Sequence, residues 1–94
     1  MKNLYDDFKW CAELVLDRVS EDPNITHKIR LARAVITEFR NRGMTQTQAA
    51  EAIKTTQPRV SNLINGHLDR FSVEFLMLAL EELGFEVGIL ITRK

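Results

Sequence analysis

Two short segments that open on the same dipeptide constrain this chain more than any other feature of its sequence. Thr45-Gln46 and Thr56-Gln57 each place a hydroxyl where a helix N-terminus needs an acceptor for its unpaired N–H groups. The first segment, Gln46 to about Ile53, is rich in alanine; the second carries Val60, Leu63 and Ile64 on one side and ends at Asn65-Gly66. Helices of this length are marginal in water by themselves, so they must pack on each other and on longer neighbours. Ala49, Ala50 and Ala52 keep the first helix slim enough for a close approach, and Ile53, Val60 and Leu63 fill the space between the two.

The longer neighbours are legible from periodicity. Before the pair, a helix is expected from about Ile25 to Arg42, with Ile25, Ile29, Ala32, Ile36 and Phe39 inward and Lys28, Arg30, Arg33 and Arg40 elsewhere around it. Gly43 suits its C-terminal cap, because glycine enters left-handed geometry without a steric cost. After the pair, Ser72 caps a helix with one stripe at Val73, Leu76, Leu80 and Leu83 and a second at Phe75 and Leu78, stopped by Gly84. Leu4, Phe8, Cys11, Val15 and Val19 predict an amphipathic helix over about residues 4–19, broken by Ser20 to Asn24 with Pro23 among them. The chain therefore divides into an N-terminal helical extension, 1–24, and a domain, 25–94. The fold class is mainly α: five helices followed by one β-strand.

That strand is expected over Phe85 to Thr92, where Val87, Ile89 and Ile91 alternate with other residues. A lone strand leaves its backbone groups without partners, and the chain offers no second strand. Pairing with another copy across a two-fold axis repairs this, which makes Phe85, Val87, Ile89 and Ile91 the candidate dimerisation residues. Val87, Ile89 and Ile91 would then face the Leu76, Leu80 and Leu83 stripe. The alternative is an apolar tail lying on the core.

Net charge over the 94 residues is zero, but it is unevenly spread. Met1 to His27 holds three basic residues against six acidic ones, Lys28 to Arg70 eight against three, and Phe71 to Lys94 two against four. The positive block contains the helix pair, and phosphate contacts need local Lys and Arg rather than a basic average. A hydrophobic fraction of 45% argues against disorder. No apolar run approaches the roughly 20 residues that span a bilayer. Nor does the start of the chain show a signal-peptide layout, so a cytoplasmic setting is expected. Cys11 is alone and His27 and His67 are far apart, so no metal-ligand spacing exists; with no phosphate loop or nucleophile–base motif either, neither an enzyme nor a cofactor is expected. Glu81 and Glu82 read as a solvated pair.

Function is carried by the outer face of the second short helix. At about 100° per residue, Leu63 and Ile64 lie near Val60, while Pro58, Asn62 and Asn65 lie opposite, flanked by Arg59 and Ser61. An amide, a hydroxyl and a guanidinium on one exposed face suit base edges and phosphates. Two short helices joined by a tight turn, with that face outward, form a helix-turn-helix pattern.

The run Met44-Thr45-Gln46-Thr47-Gln48-Ala49-Ala50-Glu51-Ala52-Ile53, with Thr55-Thr56-Gln57-Pro58-Arg59-Val60-Ser61-Asn62-Leu63-Ile64-Asn65-Gly66, resembles the Cro/CI-type (XRE) helix-turn-helix family. Leu68 to Glu74 and Leu83 to Val87 are similar to its HigA-like antitoxin branch. The resemblance spans about residues 28–92. It implies a lambda-repressor-like fold, a double-stranded DNA operator, a homodimer and, in the antitoxin branch, a partner toxin of the RelE/HigB type. It further implies that Gln46 and Gln57 hold phosphates, that Arg59, Ser61 and Asn62 read bases, and that Thr56 and Asn65 touch the DNA backbone. Thr45 and Pro58, at the two helix N-termini, complete the expected DNA-binding set together with Lys54. At Lys54 the family usually has glycine. Either the lysine adopts left-handed geometry or the turn differs, and its ammonium is placed to reach a phosphate. A competing class is a protein-interaction module: Tyr5, Phe8, Trp10 and Leu14 make the N-terminal segment apolar enough to bind a toxin or another subunit, or to join the core.

Overall fold

The computed structural model describes residues 21–94; the helix expected over residues 4–19 lies outside the described residues. Four α-helices and one 3-10 turn follow in order: α1 (Ile25–Asn41), α2 (Gln46–Ala52), α3 (Gln57–Ile64), the turn Leu68–Arg70, and α4 (Val73–Glu82). Among the described residues no helix is long and apolar enough to cross a membrane.

α1 starts where Asp22 organises the chain. Its carboxylate accepts the Asn24 backbone N–H at 2.8 Å and pairs with the ammonium of Lys28. Lys28 is thus a buried member of the inward face, whereas the sequence reading places it elsewhere around the helix. The correction has a simple cause: the aliphatic stem of lysine packs like a hydrocarbon, provided its charged end finds a partner. Ala32, Val35, Ile36 and Phe39 complete the face with no exposure at all, while Ile29 is only partly buried against it.

One device ends each of the four described helices. In α1, Met44 N–H donates to Phe39 O and Gly43 N–H to Arg40 O, with Gly43 at φ +62°. This is the Schellman arrangement, which satisfies carbonyls that a helix terminus leaves open. It recurs after α2 (Thr55 to Ala50, Lys54 to Glu51), after α3 (His67 to Asn62, Gly66 to Leu63) and after α4 (Phe85 to Leu80, Gly84 to Glu81). Each reversal follows within two residues of its helix, which lets 62 residues from Asp22 to Leu83 wrap one core.

That core is built where α1 packs along α4 and α2 packs on α3, with the Leu68–Arg70 turn touching both α1 and α3. Phe39, Ile36, Leu63, Leu68, Leu76, Val35 and Val60 are its largest fully buried side chains. Arg42 closes the far end, donating Nε–H to Glu38 at 2.7 Å and Nη2–H to the Leu83 carbonyl at the end of α4. The stripe expected on α4 holds at Leu76, Leu80 and Leu83. The second holds only in part: Phe75 is half-buried against the core, whereas Leu78 is 59% exposed and Ala79 takes the inward position.

Residues 85–94 form no strand in the single chain. A strand exists only as a hydrogen-bonded pair, and the described residues offer no second one. Nor do the alternating residues act together. Val87 packs partly on the core, whereas Ile89 and Ile91 are 77% and 88% exposed, so they do not cover the Leu76, Leu80 and Leu83 stripe.

The Asp22 link makes a pH prediction. The Lys28 hydrogen bond, with help from the Asn24 N–H, lowers the Asp22 carboxyl below its ordinary value against a small opposing effect of burial. A carboxyl lowered on folding stabilises the fold above its unfolded pKa, and that contribution vanishes as pH falls through the folded value. Asp22→Asn is therefore expected to be less stable than the parent near pH 6, with the two denaturation midpoints converging as pH falls below about 4. A gap that stays constant across this range would remove Asp22 as a source of acid sensitivity.

Candidate nucleic-acid interface

Both short helices are capped as their sequences require. Thr45 Oγ1 accepts the Gln48 N–H at 3.1 Å, and the Gln48 side chain accepts the Thr45 N–H at 2.9 Å, a complete capping box. Thr56 Oγ1 accepts the Arg59 N–H at 3.4 Å, and Pro58 sits in the first turn of α3, where its missing N–H costs nothing. Gln57 Nε2–H donates to Gln46 Oε1, so the two helix N-termini are tied to each other through the residues expected to meet phosphates.

Between the helices stands Lys54, at φ +57°, the one non-glycine residue with positive φ among the described residues. The left-handed alternative is the observed one. Its ammonium reaches Glu82 Oε1 at 3.3 Å, across to the end of α4. The structure thus seats Lys54 on the α4 side of the turn and away from the face that the other candidates share.

α3 buries Val60, Leu63 and Ile64, which turns its polar side outward. Thr45, Thr56, Gln57, Pro58 and Asn65 are exposed, and Gln46, Arg59, Ser61 and Asn62 are half-buried. Ser61 and Asn65 lie one turn apart, with Asn65 Nδ2 3.5 Å from Ser61 Oγ, a long contact. The remaining two candidates are held from outside the helix pair. Arg59 lies over the rings of Phe71 and Phe75, its guanidinium carbon 4.7 and 5.0 Å from their centroids. Those rings stand 5.3 Å apart, and such a cation–aromatic contact contributes about 0.5–1 kcal/mol at an accessible site. Asn62 Oδ1 accepts Arg70 Nη1–H at 3.1 Å.

A family profile described as a helix-turn-helix domain matches residues 14–92. The chain belongs to the helix-turn-helix domain family. No curated protein matches it.

In DNA-binding helix-turn-helix proteins the second helix enters the major groove and the first crosses the backbone; α3 and α2 stand at the corresponding places in this chain. Sequence reasoning missed the supports of the helix-turn-helix: Arg70, Phe71 and Phe75. Periodicity places Phe75 only in a second apolar stripe with Leu78, and Arg70 belongs to no helical period that could link it to Asn62. The available signal was weak, an aromatic pair with a basic residue just after the positive block.

Lys54 allows a test of the turn. Left-handed geometry costs a non-glycine residue about 1 kcal/mol, and an exposed ion pair returns about 0–1 kcal/mol. Lys54→Gly is therefore expected to raise the melting temperature, and to raise it further relative to parent in a Glu82→Gln background, where no pair is lost. A lower melting temperature in that background would mean that the lysine is unstrained.

Proposed function

We propose that this protein is a sequence-specific transcriptional regulator that binds a short double-stranded DNA operator as a homodimer and represses from it. The observation that carries this reading is the outer face of α3: three half-buried polar side chains, Arg59, Ser61 and Asn62, two of them held from outside the helix pair. A solvated helix face has no need of such fixing. A face that must meet base edges in one register does, because ordering long side chains before binding removes an entropy cost from the complex.

The homodimer follows from reach. One helix of eight residues covers few base pairs, and operator-level specificity calls for two such helices about 34–36 Å apart. Residues 85–94 supply the means: Ile89, Leu90 and Ile91 present an apolar run to solvent, with backbone groups in no ladder. Antiparallel pairing of two such segments would bury the run and satisfy the backbone together. The antitoxin role, with a RelE/HigB-type toxin as second partner, rests on the resemblance of Leu68 to Glu74 and Leu83 to Val87. It is the narrower part of the proposal.

Binding to an operator selected from random duplexes tests the reading. Asn62→Ala and Arg59→Ala are each expected to lose about 1–3 kcal/mol on the operator and much less on random DNA. Gln46→Ala and Gln57→Ala, which act on phosphates, are expected to weaken both DNAs alike. Equal losses from all four would leave a non-specific binder. Sedimentation supplies the second check: the full chain is expected to be a dimer at tens of micromolar, and the chain ending at Gly84 a monomer with little operator affinity. A dimeric truncation would move the interface elsewhere.

A further inference from the structure

Asn62 is a reader with a choice. Its side chain ends in one acceptor oxygen and one two-proton donor nitrogen, and a free carboxamide can turn either end outward. An unsupported asparagine in the major groove uses both, accepting from the amino group of adenine and donating to its N7.

Here the choice is made by Arg70. A guanidinium carries five N–H donors and no acceptor, so the atom that faces Nη1 at 3.1 Å has to be Oδ1. Arg70 is itself well placed to impose this. It closes the 3-10 turn between fully buried Leu68 and buried Phe71, with Arg70 N–H donating to His67 O and Phe71 N–H to Leu68 O. Its backbone is therefore seated on the core on both sides. Phe71 also lies under Arg59, so one short segment orients two of the three expected readers of α3.

Two consequences follow for the face that Asn62 presents. Nδ2 has no hydrogen-bond partner among the described residues, so its donors are what Asn62 has left to offer. One of the oxygen's two acceptor positions is filled by the guanidinium, and a base amino group approaching the other would meet the cation's N–H groups and charge beside it. We infer that Arg70 is a positioning residue for base reading, which by holding Asn62 Oδ1 makes the Asn62–Arg70 pair a donor-only face that selects guanine, with its N7 and O6 acceptors, over adenine. This inference rests on α3 being the reading helix and adds to that reading a base preference and the residue that sets it.

The experiment has an arm without DNA and an arm with it. In isotope-labelled free protein, Arg70→Met is expected to shift the Asn62 side-chain carbonyl and amide resonances while backbone signals of buried Leu63 and Leu68 stay in place. Unmoved Asn62 side-chain signals would overturn the inference. In selection from a random duplex pool, the parent is expected to enrich guanine at the position that Asn62→Ala levels. Arg70→Met is expected to change the preference there toward adenine by about tenfold and to leave the rest of the consensus intact. Adenine in the parent consensus overturns this inference alone. So does an Arg70→Met variant that weakens every sequence equally and keeps guanine, since Arg70 would then be a phosphate contact. A pool with no consensus at all overturns the sequence-specific reading of α3 and this inference with it.

Discussion

The close packing of α2 on α3 is the contact on which the rest of the molecule depends. Ala49 is fully buried and Ala50 nearly so, and with nothing beyond a methyl group on that side α2 can lie against the helix that carries Val60 and Leu63. Burial of those two residues, and of Ile64, sets the rotation of α3 about its axis. Once that rotation is set, Arg59, Ser61, Asn62 and Asn65 have no route inward. A larger residue at Ala49 would force the helices apart, and overpacking of this kind costs about 1–3 kcal/mol. The loss would fall on the orientation of α3 as well as on stability.

Around this contact the chain spends very few residues on turns. Four successive Schellman ends give four tight reversals, and in three of them glycine occupies the left-handed position. Lys54 occupies it in the fourth, the turn between α2 and α3. The strained residue thus stands at the joint of the functional unit, where backbone strain tends to be tolerated when packing on both sides enforces it. Its ammonium ties the joint to α4 through Glu82, which links the helix pair to the helix that lies along α1.

α4 and the turn before it do more than fill the core. Phe71 is buried and Phe75 half-buried, and together they hold Arg59, while Arg70 holds Asn62. A segment that follows α3 in sequence therefore acts as a rigid back for its outer face. Side chains in such a setting give up rotamer freedom on folding rather than on binding, which is the physical content of preorganisation. The tail beyond Gly84 is the opposite case. Only Val87 rests on the core, and the exposed Ile89, Leu90 and Ile91 have nothing in the single chain to bury them.

The caps, the helix pair and the inner faces were legible in the sequence because each depends on residues a few positions apart. Thr45 with Gln48, Thr56 with Arg59, Ser72 with Phe75, and Gly43, Gly66 and Gly84 as terminators are all local relations, set by hydrogen bonds within one turn of chain. The outward set on α3 was legible for the same reason, since helical angle follows from residue number alone. Long-range relations were decided only by the tertiary structure. Lys28 became a core residue because Asp22 was folded back to meet its charge, and Leu78 stayed exposed because α1 packs on the Leu76 and Leu80 side of α4. The grip of Arg70 on Asn62 and of Phe71 and Phe75 on Arg59 has no period in the sequence, because it joins a helix to a turn across space. The tail shows the same limit from the other side: alternation at Val87, Ile89 and Ile91 specifies residues that can form a strand, but a strand is a relation between two segments, and one chain supplies only one of them.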